Sequence, residues 1–127
     1  MKKLVKPFLI ALVAVSFYGC AENSNPSGQA KYKARLEVAG ICSNYTFSVI
    51  EGNIDTSLVV AEWTDPQTDK TYKNAFAVKN PCILPTGIKK GDVFSFVINA
   101  NPSKSECAVC MAYYPTPPKS LDIKVVK

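Results

Sequence analysis

From Lys31 to Val38 the chain alternates without a break, with Tyr32, Ala34, Leu36 and Val38 on one side and Lys31, Lys33, Arg35 and Glu37 on the other. Successive side chains of a strand point to opposite faces, so the pattern predicts a strand with one buried face and one wet face. Beyond Gly40 the apolar positions become Ile41, Tyr45, Phe47 and Val49, and their parity changes from even to odd. A shift of one residue turns every side chain over. A bulge or bend at Gly40 would let one long strand curl onward with its apolar residues still inward. The rival is a separate short strand after a turn at Ser43-Asn44. Leu58 to Trp63 within Thr56–Thr64, and Tyr72, Phe76 and Val78 within Thr71–Lys79, predict two more strands, joined as a hairpin by the turn formers between Asp65 and Lys70. Pro81 and Pro85 limit the next segment to a turn or short helix. Phe94, Phe96 and Ile98 alternate within Val93–Asn99, and Leu121, Ile123 and Val125 mark a last strand.

No segment carries a helical period over three turns, so the fold is expected to be all-β. A long bent strand, a hairpin, a short connection and two further strands is an order that resembles the OB-fold, a small five-stranded Greek-key barrel. The alternative is an immunoglobulin-like β-sandwich, which needs about seven strands over roughly 100 residues. Trp63, Tyr72, Phe94 and Phe96 stand at strand parity and are expected in the core rather than on a ligand platform.

Ahead of this domain, Lys2, Lys3 and Lys6 precede an uncharged run of 11 residues, Phe8 to Tyr18, that stops at Gly19-Cys20. The run has the length of a signal-peptide apolar region and falls short of the about 20 residues that a spanning helix needs. The basic start, the short apolar run and Phe17-Tyr18-Gly19-Cys20 resemble the lipobox of bacterial lipoproteins, in a relaxed form. Gly19 and Cys20 match the small residue and the invariant cysteine, whereas Phe17 and Tyr18 stand where the family has a leucine and a second small residue. The resemblance covers the first 20 residues. It implies a signal peptide over 1–19, a lipidated Cys20 as mature N-terminus, attachment to the membrane through that lipid, and a place in the bacterial cell envelope at the outer membrane. Ala21 to Ala30 offers nothing large and apolar to pack. Residues 20–30 are therefore expected to be a lipidated cysteine and tether with a reach of about 17 Å, and 31–127 a single β domain.

Lys and Arg number 15 against 10 Asp and Glu, a net charge of +5. Three of those lysines lie in the leader, so nucleic acid is not an expected partner. Histidine is absent, which excludes Ser-His-Asp and Cys-His catalysis and His-ligated metals. In an exported domain Cys42, Cys82, Cys107 and Cys110 are expected to form two disulfides. Three pairings are open, and Cys42–Cys82 with Cys107–Cys110 is the one favoured here. Cys107-Ala-Val-Cys110 admits a competing role in thiol-disulfide exchange or, with Met111, in metal handling, although the βαβ setting of a redox site is missing. No catalytic residue, cofactor or resident metal is expected.

Tyr113 and Tyr114 are neighbours on an extended segment, so one ring should face outward. With Pro115, Pro117 and Pro118 they form a candidate surface for an extended peptide, a glycan or an unidentified envelope protein. The rival role for the prolines is to shield an edge strand. The sequence thus leads to a lipid-anchored binding or accessory module without catalytic activity. A thiol-disulfide or metal-handling protein is the first alternative, and a hydrolase inhibitor the second.

Overall fold

The computed structural model describes residues 28–101 and 108–127; the leader, Cys20, most of the tether and Cys107 lie outside the described residues. The domain is all-β. Its strands are β1 (Tyr32–Ala39), β2 (Tyr45–Glu51), β3 (Val60–Thr64), β4 (Thr71–Val78), β5 (Val93–Ile98), β6 (Ser120–Leu121) and β7 (Ile123–Val126). They pair in the order β3-β4-β2-β1-β5-β7, with β6 lying parallel to β4 off this path. Seven strands stand where five were expected, because the long first strand is two, β1 and β2, and the last one is divided at Asp122. Leu121 and Ile123 on either side of Asp122 are both buried. Asp122 accepts from the Asn99 backbone N–H at 3.0 Å and from its side-chain amide at 3.1 Å.

The parity change at Gly40 has a different cause from the expected bulge: the chain reverses. β1 and β2 form an antiparallel hairpin in which Leu36 faces Phe47 and Ala39 faces Tyr45. At its corner Cys42 and Ser43 both have positive φ, 55° and 60°, and the Asn44 N–H donates to the Ile41 carbonyl at 3.1 Å. Two successive left-handed residues make a type I′ corner, whose twist matches that of the flanking strands. Gly40 is required by space, since a Cβ there would collide with the Asn44 carbonyl oxygen and lie 2.9 Å from Tyr114 Cγ.

Four phenylalanines from three strands fill the interior. Phe47 stacks on Phe76 at 5.6 Å and meets Phe94 edge-on at 5.5 Å, and Phe76 lies 5.5 Å from Phe96. Ala34, Leu36, Val49, Leu121 and Ile123 complete this cluster. Trp63 and Tyr72 do not join it. In β4, Asn74 takes φ 48°, which breaks the alternation and lets Ala75 and Phe76 both be buried. Tyr72 is thereby turned off the core face, where it stacks with Trp63 across the β3–β4 hairpin at 6.4 Å. The wet face expected for β1 is also altered. The register slips between Leu36 and Val38, and Glu37 is buried, held by two hydrogen bonds from Arg35.

Candidate functional site

The bridge that organises the surface joins Cys42, at the hairpin corner, to Cys110, with Cα atoms 5.1 Å apart. The expected pairing of Cys42 with Cys82 and Cys107 with Cys110 is therefore corrected. Because the chain reverses at Gly40, Cys42 sits on a protruding corner that the segment after residue 108 crosses. Cys82, in the turn Pro81–Ile83, is also disulfide-bonded. Cys110 is thus committed to a cross-link between distant parts of the chain and does not form an exchange pair with its neighbour in the CxxC.

Further ties fasten the same segment. The Asn44 side-chain amide donates to the Ala112 carbonyl at 2.9 Å, and the Tyr114 hydroxyl donates to Asp65 Oδ2 at 3.0 Å. All three attachments fall on even residues, 110, 112 and 114. The odd residues between and before them carry large apolar side chains that stay in solvent: Met111 is 98% exposed, Tyr113 80% and Val109 47%. Ile41, beside the bridge, adds a fourth at 59%. Residues 108–113 are all exposed, and this fastened segment carries thioether, phenol and aliphatic groups around a disulfide. Single exposed apolar residues are ordinary, but clustered ones mark interaction sites.

Tyr113 and Tyr114 are split as two neighbours on an extended chain should be, one exposed and one half-buried. Of the prolines, Pro117 turns into the domain, Pro115 is half-buried and Pro118 is exposed, so the stiff run does not present one continuous face. The display is centred on the residues before it. Met111, Val109 and Ile41 were not singled out for a surface from sequence, since nothing in their spacing shows that 110 and 112 would be the fastened positions.

Asp65 anchors Tyr114 from the β3–β4 turn. It is fully buried, and its carboxylate accepts from the Gln67 N–H, the Thr68 hydroxyl and the Tyr114 hydroxyl at 2.9, 2.9 and 3.0 Å. Burial pushes the Asp65 carboxyl up, but those three donors and the charge of Lys90 outweigh it and hold the group below its ordinary value. Burial, followed by the bond to Asp65 and its charge, raises the Tyr114 phenol, which stays a neutral donor. A carboxyl depressed on folding adds stability that is fully present above its unfolded value, about 3.9, and is lost as pH falls through the folded value. Asp65→Ala should cost roughly 1–3 kcal/mol at neutral pH, because buried donors lose their acceptor. Its urea midpoint should also fall less steeply than that of the unaltered chain below about pH 4; parallel curves would contradict this role.

A second concave feature lies on the outer face of β1, β2 and β4. It is an open groove of about 430 Å³, lined among others by Arg35, Glu37, Ser48, Thr71, Tyr72 and Lys73. A smaller depression of about 180 Å³ near Tyr32 lies beside the Lys33–Glu51 ion pair, 2.8 Å long. Among the described residues no three Cys, Asp or Glu side chains are grouped as metal ligands would be.

These observations define a disulfide-cross-linked, all-β domain with an apolar display at one end of its first hairpin. No family model, curated protein or solved structure matches the chain.

Proposed function

We propose that this chain is a lipid-anchored, non-enzymatic module of the bacterial cell envelope that binds a protein partner through the stripe formed by Ile41, Val109, Met111 and Tyr113. The observation that carries the reading is the alternation just described, with attachments at 110, 112 and 114 and exposed apolar groups at 109, 111 and 113. Holding such side chains still before binding reduces the ordering cost of association.

Position supports a protein rather than the bilayer as the occupant. The chain enters the domain at the Tyr32 end of β1, whereas the stripe lies just past its Ala39 end. Eight strand residues separate the two by about 26 Å. An N-terminal lipid would therefore hold the stripe on the side away from the membrane. The pairing of β6 with β4, together with β7 on β5, links the two sides of the sheet through one short C-terminal segment. That linkage supports an OB-like barrel as the scaffold.

Two experiments test the parts separately. Intact mass of the mature chain should show an acylated N-terminal Cys20, and Cys20→Ser should release the protein from membranes; an unmodified Cys20 would remove the anchor. Replacing Met111 and Tyr113 together with serine should abolish capture of the partner by crosslinking in intact cells while leaving the thermal midpoint in place.

A further inference from the structure

At the centre of the stripe stands a side chain with chemistry of its own. Methionine is among the residues most often buried, yet Met111 is 98% exposed, more than any other of the exposed large apolar residues described. The other methionine of the chain is Met1. Cys42 and Cys110 are bridged to each other and Cys82 is bridged as well, so none of the three offers a thiolate to an oxidant. Among the described residues, the Met111 thioether is therefore the one sulfur left open to two-electron oxidation. Both of its chain neighbours are tied, Cys110 by the disulfide and Ala112 through its carbonyl to the Asn44 amide at 2.9 Å. A change made at Met111 stays in the stripe, because the segment cannot turn that side chain away without breaking a tie.

We propose that Met111 is a modification site, oxidised by hydrogen peroxide to methionine sulfoxide, and that the modification shuts the stripe to its partner. The sulfur lone pair attacks one peroxide oxygen, and the S–O bond forms as the O–O bond breaks. The departing hydroxide takes the proton from the transferred oxygen and leaves as water. Sulfur loses two electrons and the peroxide gains them, so no further reactant is needed. The product replaces a flexible apolar group by a polar, chiral one. At 98% exposure the new oxygen meets solvent rather than packed neighbours, so the fold is not disturbed. Against the apolar surface of a partner the same oxygen is desolvated without a donor, which weakens the contact. The regulation assigned here belongs to the stripe and rests on its being a binding surface.

The full chain, in dodecyl maltoside micelles and with a photoreactive residue at position 109, is treated with hydrogen peroxide beside N-acetylmethionine amide as an internal standard. It is then freed of peroxide and mapped by mass spectrometry. One added oxygen is expected on Met111, at a rate within about twofold of the standard because nothing shields the sulfur, and the thermal midpoint should stay in place. Irradiated with cell envelopes, the untreated chain should give a discrete adduct and the oxidised chain at least about tenfold less of it. Met111→Leu keeps an apolar side chain without the sulfur, so its adduct should be the same before and after peroxide. The proposal is overturned if Met111 reacts more than about tenfold slower than the standard. It is equally overturned if oxidation leaves the adduct undiminished, or if Met111→Leu loses its adduct to peroxide as well. An untreated chain that gives no adduct removes the stripe and the switch together, whereas an undiminished adduct removes the switch and leaves the stripe standing.

Discussion

Replacing Cys42 and Cys110 together by serine is expected to cost about 4 kcal/mol of folding stability. The bridge spans 68 residues of sequence, and closing a loop of that size removes about 4 kcal/mol of entropy from the unfolded chain. It also opposes a local cost. Cys42 and Ser43 are held in the left-handed region, where residues other than glycine or asparagine are disfavoured and persist only when their surroundings enforce them. With the bridge gone, the corner can relax and the segment at Ala112 retains one amide hydrogen bond and the Tyr114 contact. Urea unfolding of the Cys42→Ser, Cys110→Ser variant, with Cys82 left intact, should show a much lower midpoint. An unchanged midpoint would mean that the cross-link is incidental to the fold.

The second large effect concerns binding alone. Truncating a side chain at the centre of an interface costs 2 kcal/mol or more, about a thirtyfold loss of affinity. Met111 and Tyr113 are the two most exposed members of the stripe, so each is expected to act at that level and the double serine variant to lose capture altogether. Stability should move by no more than about 0.5 kcal/mol, because surface substitutions away from buried partners do little. The bridge variant should lose both properties, since it frees the segment that presents these groups. That contrast separates display from folding.

Sequence revealed β1 and β5 because apolar residues recur there with a period of two, and the β3–β4 hairpin because the turn formers between Asp65 and Lys70 separate two apolar segments. It did not reveal the hairpin at Gly40. Cys42-Ser43 lacks the Asn-Gly or Asp-Gly signature of a type I′ corner, and a parity change is equally produced by a bulge and by a reversal. Asn74 could have been suspected, as asparagine is enriched at positive φ, and that one residue decides that Tyr72 leaves the core. The pairing of Cys42 with Cys110 depends on which loop crosses which corner, a tertiary fact that spacing does not encode. Glu37 was assigned to solvent by alternation alone, which cannot anticipate a slip in register. For the candidate surface, the opposition of Tyr113 and Tyr114 follows from strand geometry. The part played by Met111 and Val109 does not, because it depends on ties made by residues nearly 70 positions away.

The most direct test of the binding stripe is site-specific photo-crosslinking in intact cells, with a photoreactive residue placed in turn at positions 111, 113, 50 and 124. Ile50 is an exposed apolar residue away from the bridge, and Lys124 an exposed residue of β7. One discrete adduct of the same mass is expected from positions 111 and 113, and none of that mass from 50 or 124. Adducts of equal yield from all four positions, or from 50 and 124 alone, would contradict it.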